Sequence, residues 1–236
     1  MPSNPFAGCT IAFDLDGTLV DSAPDIHRAL NAILMQENLP AASLEAVRSF
    51  VGHGARHTLV KAAEVHGVAF EDRRLDDLTE QFTNIYAADI ALLTRPWPGV
   101  EAALGRFRDE GVLLCVCTNK RSFLSRRLLE ALDMIHWFAA VVGADDVGQK
   151  KPHPDHFLAA VRAAKGNPAR ALMVGDSAAD VGSARGAGAP VALVAFGYTD
   201  TAPELLGADA VFTHFDELPE LARKLLGSGI PSRSGY

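Results

Sequence analysis

The residues best suited to chemistry in this chain lie just past apolar runs. Asp14-Leu15-Asp16-Gly17-Thr18 follows such a run at residues 9–13. A buried strand that ends in aspartate aims a carboxylate into the crevice above a parallel sheet, where ligands bind. Asp16 returns toward that crevice if the chain stays extended, and Gly17 allows a turn and a close approach to a ligand. The pair suits a metal with a phosphate, or a nucleophile with a general acid; it also suits a plain Asp-Gly turn with Asp14 as a helix cap. A second pair stands in Val174-Gly175-Asp176-Ser177-Ala178-Ala179-Asp180. Asp176 ends another apolar run and Asp180 follows one helical turn later. Both could ligate a hard ion such as magnesium, or cap the helix and favour its dipole.

Two further segments carry polar groups past apolar runs. Cys117-Thr118-Asn119-Lys120 offers a hydroxyl and the backbone N–H groups of a turn that opens a helix, a reasonable seat for phosphate. Gln149-Lys150-Lys151-Pro152-His153-Pro154 sets two lysines on a stiff backbone. One amine could neutralise phosphoryl oxygens, or both could be solvated. Each segment alone has an ordinary structural explanation. Together they gather several carboxylates, a hydroxyl and at least one lysine along one edge of a sheet, an inventory for metal-assisted phosphoryl transfer. No imidazole base belongs to the set, and no G-x-x-x-x-G-K-[ST] loop is present, which argues against an ATPase of that type.

The elements that must position these groups read as alternating strands and helices. Short apolar runs at 9–13, 112–117, 139–142, 171–174, 191–194 and 210–212 lack strict alternation, as strands buried on both faces of a parallel sheet do. Helical patterns at 100–108, 122–132, 155–164 and 178–185 fall between them, which predicts a layered α/β domain with right-handed crossovers. Residues 22–94 break the rhythm with helices only, at 24–36, 44–50, 55–65 and 74–92. Pro24 suits a first helical turn and Ser22 is the candidate N-cap. A stretch of roughly 70 residues without a strand is too long for one crossover and predicts an inserted helical domain. Arg95-Pro96-Trp97-Pro98-Gly99 marks its return.

The chain has 236 residues, 48% of them hydrophobic and 22% charged, values ordinary for a globular protein with a sizeable core. With 29 acidic against 22 basic residues the formal charge is -7, and no basic tract or stripe stands out. Nucleic acid is therefore excluded as an expected partner, and an anionic substrate would need a local metal and basic groups to override the global field. Cys9, Cys115 and Cys117 make no disulfide framework. The C-x-C pair at 115 and 117 points to one face of a strand, where core filling is favoured over metal binding. Reduced thiols and a cytoplasmic location fit. MPSNPFAG lacks the pattern of a signal peptide, and no window reaches the ~18 apolar residues of a membrane span. The end, SGIPSRSGY, is expected to fray.

The four segments resemble, in order and spacing, the motifs of the haloacid-dehalogenase-like superfamily, and within it the phosphoglycolate phosphatases. Asp14-Leu15-Asp16-Gly17-Thr18-Leu19-Val20-Asp21-Ser22 matches the first motif almost as a string. Thr118 with Asn119 and Lys120 matches the second, Lys151-Pro152-His153-Pro154 the third, and Gly175-Asp176-Ser177 with Asp180 the fourth. The resemblance implies a Rossmann-like, mostly parallel sheet core formed by residues 1–20 and 95–236, with an all-helical cap domain inserted at 21–94. It implies that Asp14 attacks phosphorus and forms an aspartyl-phosphate, and that Asp16 protonates the leaving oxygen and then deprotonates water. Thr118 and Lys151 hold the phosphoryl oxygens. Mg2+ is held by Asp14, the Asp16 carbonyl and Asp176, with Asp180 near the ion through water or as a partner of its ligands.

In the cap, Phe50-Val51-Gly52-His53-Gly54 followed by Arg56 resembles the specificity loop of the phosphoglycolate group. The expected substrate-binding set is Thr118, Asn119, Lys120, Lys151, Gly52, His53 and Arg56, with Arg56 or Lys120 reading a substrate carboxylate and a small anionic phosphomonoester as the partner. One departure is His156, which replaces the last proline of a K-P-x-P-x-P pattern and is expected to be structural or solvated. His27, His66 and His136 receive no role. The alternatives are a phosphatase or mutase acting on sugar or other small-metabolite phosphates, and a non-catalytic regulatory protein on the same fold. Dehalogenating relatives differ at Asp16, and Lys61, the only cap lysine, does not match the Schiff-base context of the phosphonatases. The apolar stripes of the cap helices are assigned to their own domain rather than to a partner, and no oligomeric state follows from them.

Overall fold

The computed structural model describes Phe6 and residues 8–227. The expected frayed tail at 228–236 and most of MPSNPFAG lie outside the described residues. Six strands form one sheet: β1 (Thr10–Phe13), β4 (Leu113–Cys117), β5 (Ala140–Val142), β6 (Ala171–Gly175), β7 (Val191–Val194) and β8 (Ala210–Phe212). Their order is β5-β4-β1-β6-β7-β8 and every pairing is parallel. The sheet is buried on both faces. Ile11, Phe13, Val116 and Val174 pack into one layer of the core. Ala12, Cys115, Cys117 and Met173 pack into the other, with Phe157 and Val161. The two cysteines of the C-x-C pair are thus free, buried, and part of one apolar layer.

Flanking helices cover the sheet: α5 (Val100–Asp109), α6 (Ser122–Ala131), α7 (Pro154–Ala163), α8 (Ala178–Gly186) and α9 (Leu218–Gly227). The register sets the site. Phe13 lies beside Val116 on one side and Val174 on the other. Asp14, Thr118 and Asp176, which follow the ends of β1, β4 and β6, therefore meet along one sheet edge. The chain leaves and re-enters this Rossmann-like core through β2 (Val20–Asp21) and β3 (Arg95–Pro96), a two-residue antiparallel pair. Between them lies the helical cap: α1 (Ala23–Gln36), α2 (Leu44–Phe50), α3 (Ala55–Glu64) and α4 (Asp72–Ala88). Ile26, Leu30 and Ile33 on α1 share a face at helical spacing and are buried in one cluster with Leu75, Phe82 and Tyr86 of α4.

Three local details differ from the sequence reading. Ser22 stands at the N-cap of α1 but makes no side-chain cap bond; its hydroxyl donates instead to Asp16 at 2.6 Å. Helix α4 ends at Ala88, four residues before the expected Leu92. The buried Asp25 carboxylate accepts from the backbone N–H of Leu93 at 2.9 Å and of Thr94 at 2.8 Å, which turns the chain back toward the core. Helix α9 was not anticipated; it packs Leu218 and Ala222 under the β6 side of the sheet.

Candidate active site

The strand ends bring four charged groups into one buried cluster. Carboxylate oxygens of Asp14, Asp176 and Asp180 all lie within 4.8 Å of one another. Lys151, only 1% exposed, places its ammonium 3.0 Å from Asp14 and 2.6 Å from Asp180. Burial lowers the preference of Lys151 for charge, but Asp14 and Asp180 outweigh it and hold the ammonium above its ordinary range. The carboxylates are the strained partners. Burial, opposed by Lys151 and reinforced by Asp180, raises Asp14 from 3.8 to about 6. Burial, with Asp180 and Asp14, pushes Asp176 well above the usual carboxylate range. Three acids thus face one ammonium, and the excess negative charge suits a divalent cation.

The cluster has the shape as well as the charge for an ion. A Cβ on Gly17, whose φ is +84°, would lie 2.4 Å from an Asp176 oxygen, so only glycine lets the turn after Asp16 approach that carboxylate so closely. Oxygen-only donors are those of hard cations. A divalent metal therefore fits between Asp14 and Asp176. Asp180 is already engaged: one oxygen meets Lys151, and the other accepts from Asp176 N at 3.2 Å, Ser177 N at 3.0 Å and the Ser177 hydroxyl at 2.7 Å. It caps α8 and orients the lysine at once.

Asp16 is buried beside the cluster and lines the same chamber as Asp14. It accepts from Ser22 at 2.6 Å, and both of its oxygens meet the Lys120 ammonium at 2.9 Å. Thr118 is buried, and its hydroxyl oxygen accepts from Lys120 N at 3.2 Å. The Asn119 amide donates to Gly52 O at 3.0 Å and to Lys151 O at 3.1 Å, joining the cap loop to the core. Lys150 adds a second tie, donating to His53 O at 2.7 Å. His156 is fully buried. Its Nδ1 accepts from Lys151 N at 3.2 Å, and its Nε2 lies 3.3 Å from Val142 O. Burial and Lys151 lower it to about 4, so the ring is neutral and structural.

Above these groups a chamber of about 1000 Å³ separates cap from core. Asp14, Asp16, Thr118, Asn119 and Lys120 line its floor, and Gly52, His53, Arg56, Phe82 and Tyr86 line its roof. Of the residues expected to bind substrate, Thr118, Asn119, Lys120, Gly52, His53 and Arg56 line the chamber and Lys151 lies buried behind it; two of the lining side chains are turned elsewhere. The Arg56 guanidinium meets Asp72 at 2.6 Å and Asp76 at 3.2 Å on α4. Lys120 is committed to Asp16.

Sequence reasoning missed Tyr198. Its backbone N–H donates to Asp176 at 2.6 Å, and its hydroxyl donates to Asp21 and accepts from Ala23 N at 2.9 Å. It therefore joins the ion cluster to the first cap linker. The available signal was its place, four residues past the end of β7, a fifth strand end on the same edge. Tyr86 was missed as well, since an aromatic on the apolar face of a helix reads as core.

A mostly parallel sheet that collects three aspartates and a lysine at its strand ends, beneath a helical cap, defines a hydrolase with a phosphatase-type site. Residues 10–188 match the model of the haloacid dehalogenase-like hydrolases. The chain belongs to that family. It is 45% identical over 221 residues to a phosphoglycolate phosphatase of Caulobacter vibrioides, covering 94% of this chain and 93% of the relative. A phosphoglycolate phosphatase of Mesorhizobium japonicum is 42% identical, with 92% and 96% covered. Among solved structures, that of a predicted phosphoglycolate phosphatase from Haemophilus somnus superposes with a TM-score of 0.84 at 29% identity, covering 90% of this chain and 96% of that one.

Proposed function

We propose that the enzyme hydrolyses 2-phosphoglycolate to glycolate and phosphate, with Mg2+ as its ion and Asp14 as its nucleophile. The observation that carries the chemistry is Lys151 buried between Asp14 and Asp180, with Asp14 itself on the floor of a chamber that a second aspartate, Asp16, also lines. The substrate rests on the relatives of 45% and 42% identity that bear that name.

Asp14 attacks phosphorus, the bond to the substrate oxygen breaks, and an aspartyl-phosphate forms. Asp16 gives a proton to the leaving oxygen and later takes one from the water that frees phosphate. Lys151 and Thr118 hold the phosphoryl oxygens, and Asp180 holds Lys151. Asp14, Asp176 and the Asp16 carbonyl are the ligands we assign to Mg2+, which when bound offsets the charge that gathers between nucleophile and phosphoryl group. Residues 21–94 act as the cap domain, with Gly52 and His53 tied down by Asn119 and Lys150 to exclude water.

The substrate carboxylate needs a donor beyond the phosphoryl seat, and the pairings favour one of the two candidates. The partners of Arg56 are exposed, and ion pairs in water contribute little, so exchanging them for a substrate carboxylate costs little. The Lys120–Asp16 pair is buried, with side chains 7% and 10% exposed, and removing one partner there is expensive. Arg56 is therefore the reader. The cytoplasm is the location we assign, on buried cysteines at 115 and 117 that form no disulfide; no helix among the described residues is long and apolar enough to cross a membrane.

A chamber of about 1000 Å³ exceeds what so small a substrate fills, and favours a second reading in which sugar or other small-metabolite phosphates are turned over. Measured kcat/KM across phosphoglycolate, hexose and pentose phosphates, with Mg2+ saturating, separates the two. The first reading predicts the highest value for phosphoglycolate; a clear preference for a sugar phosphate would overturn it.

A further inference from the structure

Lys120 lies two residues beyond Thr118 on the core, and Tyr86 lies near the end of α4 on the cap. The Lys120 ammonium spends its donors on both oxygens of Asp16, each at 2.9 Å. The same ammonium stands 4.4 Å from the centre of the Tyr86 ring. Tyr86 is 3% exposed, so the ring and the charge meet out of water, where attraction between a cation and an aromatic face is strongest. The Tyr86 hydroxyl has no hydrogen-bond partner. The ring face stands over the ammonium, and the hydroxyl is near enough to act on the same charge. Ser22 completes the set by donating to the Asp16 oxygen Oδ1 at 2.6 Å.

These contacts cross the boundary between the two parts of the molecule. Asp16 and Lys120 belong to the sheet edge, whereas the tyrosine arrives with the cap. Lys120 has a flexible stem and three rotatable donors, so Asp16 alone does not define where its ammonium sits. The ring closes off the remaining side. We propose that Tyr86 is a positioning residue: its ring, carried by the docked cap, holds Lys120 in place, and Lys120 with Ser22 holds the Asp16 carboxylate toward the leaving oxygen. The acid–base group is thereby aligned only when the cap covers the site. This rests on the acid–base role of Asp16 given above.

The test compares two substrates that differ in how much their leaving oxygen needs a proton. One is phosphoglycolate, an alkyl ester; the other is p-nitrophenyl phosphate. The quantity is kcat/KM, which reports the first irreversible step, measured with saturating Mg2+ for wild type and for Tyr86→Leu, Tyr86→Phe, Lys120→Met and Asp16→Asn. Misplacing a general acid loses part of the roughly 100-fold or more that such a group supplies, so Tyr86→Leu should fall about ten-fold on the alkyl ester and under about three-fold on the aryl ester. Tyr86→Phe keeps the ring face and should restore both to within about two-fold of wild type. Lys120→Met should show the same selective loss, and the Tyr86→Leu/Lys120→Met double variant should be no worse than Lys120→Met alone, because both act through one contact. Equal losses on both esters in Tyr86→Leu and Lys120→Met, with the split intact in Asp16→Asn, would overturn the proposal and leave the Asp16 role standing. A loss in Tyr86→Phe as large as in Tyr86→Leu would assign the effect to the hydroxyl and overturn it too. No split in Asp16→Asn would remove the acid–base role and this inference with it.

Discussion

The ammonium of Lys151 lies closer to Asp180, at 2.6 Å, than to Asp14, the nucleophile proposed above, at 3.0 Å. The lysine is thus aimed by a carboxylate that is itself pinned by three donors at the start of α8. Replacing Asp180 by Asn removes the charge that holds Lys151 and sets an amide against those donors. Partners of this kind are worth about 10–100-fold in activity. We expect kcat of Asp180→Asn to fall by about that factor in steady-state assays with Mg2+ saturating. A kcat equal to wild type would mean that Lys151 needs no such support.

The ion cluster makes the metal-free protein sensitive to pH. Asp14 is raised from 3.8 to about 6 in the fold, chiefly by burial, with Lys151 opposing and Asp180 adding. Asp176 is raised in the same sense. Below about 3.8 Asp14 is protonated in both folded and unfolded chains and costs nothing. As pH rises through 6 the folded chain must carry the buried charge, and stability is lost. Thermal unfolding of the metal-free protein should therefore show this contribution falling between about pH 4 and pH 7, and Mg2+ should raise Tm more at about pH 7.5 than at about pH 4.5. A Tm that Mg2+ does not move at the higher pH would contradict the cation site.

Arg56 is the expected reader of the distal carboxylate. Arg56→Ala should lower kcat/KM for phosphoglycolate by about ten-fold or more, while a phosphomonoester without a carboxylate loses little, since a charge-assisted guanidinium contact is removed from one substrate only. Kinetics on both esters decide it. An equal loss on both would assign Arg56 to the cap itself, through Asp72 and Asp76.

Asp25 holds the return of the chain from the cap. One of its oxygens accepts from Leu93 N, Thr94 N and the Thr94 hydroxyl, and the carboxylate is fully buried. Asp25→Ala leaves two backbone donors unpaired at roughly 1–3 kcal/mol each. For a chain of this size that is a drop in Tm of roughly 5–15 °C. Calorimetry checks this, and an unchanged Tm would show that water replaces the carboxylate.

Much of this was legible in the sequence, for definite reasons. The runs at 112–117 and 171–174 correspond to Leu113–Cys117 and Ala171–Gly175, because strands buried on both faces have no polar side to blur the pattern. The groups after them were legible because polarity returns abruptly at Asp14, Thr118 and Asp176. Pairing between charges was not. Lys120 read as a candidate reader of the substrate carboxylate, and its partner Asp16 lies 104 residues away in sequence. Ser22 read as a cap because proline stands in the turn just after it, but its backbone is already helical, with φ -92° and ψ -9°, rather than in the extended conformation from which a cap hydroxyl accepts. The β2–β3 pair, two residues per strand, is too short to leave any periodicity.

The central claim is that Asp14 carries the phosphoryl group during turnover. The direct measurement is to quench the enzyme in acid during steady-state hydrolysis of phosphoglycolate, reduce with borohydride, and map the peptides by mass spectrometry. Borohydride converts an aspartyl-phosphate to homoserine but leaves a free carboxylate untouched. Homoserine is expected at position 14, dependent on substrate and absent from Asp14→Asn. Active enzyme that yields no homoserine, or yields it at another aspartate, would contradict it.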